Sequence, residues 1–91
     1  MPRISEFFGI FVYMYFQDVW QHHTPHIHIR YGEYKATYSI ETGERLAGRL
    51  GNRQTKRVQD WIEARRPALE ENWQRALRGE TLEWIAPLER P

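Results

Sequence analysis

His26-Ile27-His28-Ile29-Arg30-Tyr31-Gly32-Glu33-Tyr34-Lys35-Ala36-Thr37-Tyr38-Ser39 is the stretch that decides the fold. Apolar and polar residues alternate on either side of Gly32-Glu33, the period of a half-buried strand. A two-residue loop with glycine in its first position suits a type II′ hairpin turn. That loop sets a register. Tyr31 lies opposite Tyr34, Arg30 opposite Lys35, Ile29 opposite Ala36, His28 opposite Thr37, Ile27 opposite Tyr38 and His26 opposite Ser39. Directly opposed residues share a face. One face therefore carries Ile27, Ile29, Tyr31, Tyr34, Ala36 and Tyr38, and the other carries His26, His28, Arg30, Lys35, Thr37 and Ser39. A slip of one residue would mix the two sets, so the pattern specifies the pairing.

Outward from the hairpin, residues 7–16 read as one aromatic and branched strand, and residues 17–25 as a loop. Along that strand the aliphatic set Ile10, Val12 and Met14 is expected to face the core, with Phe11, Tyr13 and Tyr15 opposite. On the other side, Glu41-Thr42-Gly43-Glu44 is a second turn and residues 45–50 allow a short fourth strand. Asn52 is a candidate N-cap. A helix to about residue 65 would bury Val58, Trp61 and Ile62, and Pro67 suits the first turn of another. This second helix would bury Leu69, Trp73, Ala76 and Leu77 and stop at Gly79. Trp61, Trp73 and Trp84 read as core residues rather than a stacking platform. The tail holds Leu82, Trp84, Ile85 and Leu88 and is too apolar to be loose.

The expectation is a single α+β domain over residues 1–91: a three- to four-stranded antiparallel sheet with two helices packed on one face. It is strand-rich over 1–50 and helical over 52–79, with an ordered tail over 80–91. Ninety-one residues support only a small core, and thirteen aromatic residues enlarge it. No apolar run reaches the ~18 residues of a membrane span, so no membrane partner is expected. Nor does the start resemble a secretory leader. The absence of cysteine excludes disulfides, thiolate catalysis and Cys-based zinc sites, and suits a cytoplasmic setting.

The formal net charge is only +1 but is unevenly spread. Seven basic residues (Arg45, Arg49, Arg53, Lys56, Arg57, Arg65, Arg66) and two acidic ones (Asp60, Glu63) put +5 on residues 45–66. The remainder carries −4, from six basic and ten acidic residues. Such a dipole suits an anionic partner, and it equally suits a solvated helix. Arg45, Arg49, Arg53, Lys56 and Arg57 are the candidate nucleic-acid contacts, aligned into one strip if strand and helix meet suitably.

All four histidines fall within His22-His23-Thr24-Pro25-His26-Ile27-His28. His26 and His28 share a strand face about 7 Å apart, a spacing that lets two imidazoles approach one metal ion. His22, His23 or Asp18 would supply a further zinc ligand. Without metal, the same groups suit phosphodiester chemistry. One histidine would remove a hydroxyl proton and another protonate the leaving oxygen, while Arg30 and Lys35 steady the phosphorane. The bland alternative is a polar sheet face on which histidine fills exposed positions.

Met1-Pro2-Arg3-Ile4-Ser5-Glu6-Phe7-Phe8-Gly9-Ile10, Met14-Tyr15-Phe16, Asp18, the histidine segment, Tyr31-Gly32 and Thr42-Gly43-Glu44 together resemble a short bacterial family catalogued as domain of unknown function 4160. Trp61, Leu69 and Trp73 match its helical signature. Thr24 replaces a family proline, Ile27 replaces a phenylalanine, and Val19-Trp20-Gln21 lengthens the approach to the histidines. The resemblance implies a toxin-like component paired with a small protein encoded nearby, with His22, His26 and His28 as the active residues. Three functions follow as expectations: an RNase-like enzyme, a zinc-binding module, and a non-enzymatic domain that binds a protein or nucleic acid.

Overall fold

The computed structural model of the chain describes residues 2–15 and 24–88. Five antiparallel strands form one sheet in the order in which they occur: β1 (Arg3–Phe7), β2 (Ile10–Tyr13), β3 (His26–Tyr31), β4 (Tyr34–Ser39) and β5 (Arg45–Gly48). A single helix, α1 (Asn52–Leu77), follows. The architecture is α+β as expected, but with five strands rather than three or four and one kinked helix rather than two.

The β3–β4 hairpin has the expected register in all six pairs, from Tyr31 opposite Tyr34 to His26 opposite Ser39. Gly32 takes φ 58°, as the first position of a type II′ turn requires. The stretch 7–16 is not one strand. It breaks at Phe8-Gly9, where φ is 51° and 77° and a two-residue turn folds β1 back on β2. A tight turn with both central residues at positive φ matches the right-handed twist of the strands it joins. The sequence cue was Gly9, masked by the aromatic residues around it.

Ile10, Val12 and Met14 are fully buried with Ile27, Ile29, Tyr38 and Ile40, so the aliphatic set does face the helix. Across that face α1 presents Val58, Trp61, Ile62, Leu69 and Trp73. Trp61 is the centre of the layer. Its ring packs 5.3 Å from that of Phe7, and its indole N–H donates to the Ala86 carbonyl at 2.8 Å.

The two expected helices are one element with a non-helical residue inside. Arg65 takes φ −118°, ψ 16°, two residues ahead of Pro67, which lacks an N–H for the helix and whose ring crowds the preceding turn. Asn52 is the first helical residue and not the cap. Gly51 occupies the cap position, and no side chain bonds the helix start there. Leu77, expected in the core, is 46% exposed, and the buried position beside Trp73 belongs to Asn72.

That exchange has a cause in the tail. The Asn72 carboxamide donates to the Glu83 carbonyl at 2.8 Å and accepts the Glu83 N–H at 3.0 Å, replacing two backbone partners. Farther on, the Ile85 N–H bonds the Ile4 carbonyl and the Ser5 hydroxyl donates to the Ile85 carbonyl, so the tail straps the outer edge of β1. Ile85 is buried and Leu82 and Leu88 pack beside it, but Trp84, expected in the core, is 58% exposed.

Gly48 ends β5 at φ 82°, and a Cβ there would lie 2.2 Å from the Lys35 carbonyl oxygen. Only glycine permits this approach of β5 to β4.

Replacing Asn72 by alanine strands the Glu83 backbone groups and should cost about 1–2 kcal/mol in urea unfolding. The corresponding fall in Tm is roughly 5–10 °C for a domain of this size. Trp84→Ala, at an exposed position, should stay within about 0.5 kcal/mol of the parent chain.

Candidate functional site

Among the described residues, the sheet has one face under α1 and one face open. On the open face two rows of side chains cross the strands. Tyr13, His28, Thr37 and Ala47 form one row by direct pairing, and Phe11, Arg30 and Lys35 form the next. Tyr13, His28, Thr37, Ala47, Arg30 and Lys35, together with Tyr15 and Gly48, enclose a half-open groove of about 410 Å³. Period-two alternation in β2, β3 and β4 is what puts these polar and aromatic groups together.

His28 is half-buried in the groove. Tyr15 stacks on it at 4.1 Å with an interplanar angle of 3°. The Thr37 hydroxyl lies 3.3 Å from Nδ1, and the His26 ring meets it edge-on at 5.1 Å. Three neighbours thus fix the imidazole plane.

His26 departs from the expected placement. Strand parity assigns it to the open face, away from the helix, yet it is fully buried and its ring lies 5.0 Å from Trp73. Trp73 belongs to the part of α1 beyond the Arg65 kink and covers the start of β3. His26 Nδ1 is 2.8 Å from the Thr24 carbonyl oxygen. A carbonyl only accepts, so Nδ1 carries a proton. His26 therefore orients His28 from behind and is shielded from a large substrate. His22, His23 and Asp18 lie outside the described residues. Among the described residues, no group of three His, Asp or Glu side chains is placed to hold a metal ion.

Arg30 and Lys35 are directly opposed and both exposed. Among the described residues neither has a carboxylate partner. Glu6, which pairs with Phe11 in the same row, is engaged by Arg3 at 3.6 Å. Like charges facing each other across strands are unfavourable, and an anion between them removes the cost.

The five cations expected to form a strip separate into two groups. Arg45 and Arg49 line a second groove, of about 480 Å³, with Tyr31, Tyr34 and Gln54. Arg53, Lys56 and Arg57 line a third with Asp60. Lys56 is paired with Asp60 at 3.3 Å, and the Arg57 guanidinium sits 4.5 Å over the Phe8 ring. The last two basic residues of the segment serve the fold. Arg65 bonds the carbonyls of Ala86 and Pro87, and Arg66 bonds that of Ile40.

Thr37 was legible as a neighbour of His28 from the hairpin register. Ala47 and Gly48 in the groove wall, and the company of Tyr31 and Tyr34 with the arginines, were not. No local pattern carries them, because they depend on where β5 docks.

A family model described as "Domain of unknown function (DUF4160)" matches residues 9–74, well over half of the chain. The comparisons with curated proteins and with solved structures find no match. No helix among the described residues is long and apolar enough to cross a membrane.

The different settings of the two histidines have separable consequences. His26→Ala opens a cavity against Trp73 and should cost about 2 kcal/mol in urea unfolding. His28→Ala, in the half-open groove, should cost less than about 1 kcal/mol. Equal losses would contradict this division between a fully buried and a half-buried ring.

Proposed function

The chain belongs to the family described as domain of unknown function DUF4160, a description that assigns no activity, and we propose from the groove itself that the open face binds single-stranded RNA and cleaves a phosphodiester there. The observation that carries this reading is the Arg30–Lys35 cation pair without a carboxylate partner among the described residues, one row from an oriented imidazole. An aromatic side chain on a basic sheet face suits an unstacked base, and Tyr13 supplies the ring.

In the proposed reaction His28 removes the proton of the attacking 2′-hydroxyl, and that oxygen bonds to phosphorus. Arg30 and Lys35 hold the non-bridging oxygens and stabilise the charge of the phosphorane. The bond to the 5′-oxygen breaks, and that oxygen takes a proton from the Lys35 ammonium. His26 is a positioning residue for His28 rather than the second proton-transfer group. The toxin-like role and a small partner protein encoded nearby join this reading through the family resemblance, and a cytoplasmic setting through the absence of cysteine.

Arg30→Gln with Lys35→Gln should weaken binding of single-stranded RNA about tenfold or more and flatten the log–log salt slope by about 1.4. His28→Gln should bind RNA within about twofold of the parent chain and cleave none of it. Unchanged affinity in the double variant sinks the reading. RNA bound but left intact by the parent chain removes the nuclease and keeps the binding face.

A second reading rests on the His26 geometry. An Nδ1–H donated to a backbone carbonyl is the usual way to orient a metal-ligating histidine, and the His26 ring is edge-on to His28. Zinc would then be held by His26 and His28 with His22 as the third ligand. Calorimetry at neutral pH should show zinc uptake that His28→Gln abolishes, and no uptake by the parent chain ends this reading.

A further inference from the structure

The second groove adjoins the first across a single rung of the sheet. Lys35 lines the open-face groove and Arg49 lines the other, and the Arg49 N–H donates to the Lys35 carbonyl at 2.8 Å. Around this rung the assignment alternates along the chain. Tyr34 belongs to the second groove and Lys35 to the first, Gly48 to the first and Arg49 to the second. The rung lies at the β5 edge of the sheet, beyond which no further strand pairs among the described residues. The opposite edge, β1, is strapped by the tail, so the two edges differ.

Arg45 and Arg49 are exposed, and among the described residues neither has an ion-pair partner. Tyr34 is 48% exposed beside them, a large ring left in water next to two cations. That is the composition of a nucleotide subsite, guanidinium groups for a phosphate and an aromatic face for a base. The helical cations differ. Lys56 is already neutralised by Asp60, and Arg57 rests on Phe8.

We propose that Tyr34, Arg45 and Arg49 form a second nucleotide subsite, reached by a single strand that passes from the Arg30–Lys35 pair around the β5 edge. The site rests on the open-face RNA reading and adds a direction to it. The strand follows the sheet edge, and the helix face of Arg53, Lys56 and Arg57 takes no part. A ligand too short to turn the edge fills only the first groove.

Fluorescence anisotropy on the full chain tests this with two RNAs, uridine dinucleotide and an oligouridylate of about twelve nucleotides. Arg45→Gln with Arg49→Gln should lower affinity for the long RNA about tenfold and flatten its salt slope by about 1.4. The dinucleotide should bind this variant as it binds the parent chain. Arg30→Gln with Lys35→Gln should weaken both RNAs, and Arg53→Gln with Lys56→Gln neither. These six cations are exposed, so urea unfolding of each variant should match the parent chain within about 0.5 kcal/mol. Equal weakening of both RNAs by the Arg45/Arg49 variant, or no weakening of the long one, overturns the second subsite and leaves the open-face reading standing. Loss of effect in the Arg30/Lys35 variant overturns the open-face reading, and the wrapped path falls with it. If the parent chain binds neither RNA but captures polyglutamate through Arg45 and Arg49, the edge meets an acidic protein and the subsite is refuted.

Discussion

The two-residue turn at Gly32-Glu33 is the constraint on which the rest of the molecule depends. It locks β3 to β4 in one register, and that register divides every residue of the hairpin between a core face and an open face. The core face supplies Ile27, Ile29, Ala36 and Tyr38 as the floor on which α1 packs. The open face receives His28 beside Thr37 and Arg30 beside Lys35. Shifting β3 by one residue against β4 would turn Arg30 towards the core and expose Ile27 and Ile29. Burying an unpaired charge costs several kcal/mol, so the alternative pairing is strongly excluded.

On this floor a small core is closed by polar clamps rather than by more apolar area. Side chains of α1 repeatedly bond backbone carbonyls of other segments. Trp61 and Arg65 hold the tail at Ala86, Arg66 holds Ile40 at the end of β4, and Gln59 holds Gly43 in the following turn. Asn72 grips both backbone groups of Glu83. Tyr38 reaches out of the sheet to the Thr55 hydroxyl at 2.8 Å. The clamps from α1 satisfy carbonyls that the sheet or helix leaves unpaired, which is how a chain of this length keeps irregular segments in place.

The same economy shapes the candidate site. His26 serves as packing between Trp73 and His28, while His28, Arg30 and Lys35 face the groove. The basic segment is likewise divided among tasks. Arg65 and Arg66 are structural, Lys56 and Arg57 are held by neighbours, and Arg45 and Arg49 remain without an ion pair among the described residues. A net charge of +5 over residues 45–66 therefore overstates what a partner meets at any one place.

Much of this was legible in the order of residues alone. The hairpin, its register, the aliphatic face of β2, the core places of Trp61 and Trp73 and the open-face positions of His28, Arg30 and Lys35 all follow from local periodicity and one turn. Periodicity is a property of neighbouring residues, so it survives without knowledge of the fold. What the sequence could not decide depended on contacts between distant segments. The break at Phe8-Gly9 became a turn because β1 had a partner in β2. Asn72 displaced Leu77 from the core because the tail arrives with two unpaired backbone groups. His26 left the open face because the helix kinks at Arg65 and carries Trp73 over it. The five cations divided between two grooves because β5 docks at the sheet edge through Gly48, a contact closer than any Cβ would permit. Such outcomes belong to the tertiary structure, since each is settled by which surfaces compete for the same space and not by the residues on either side.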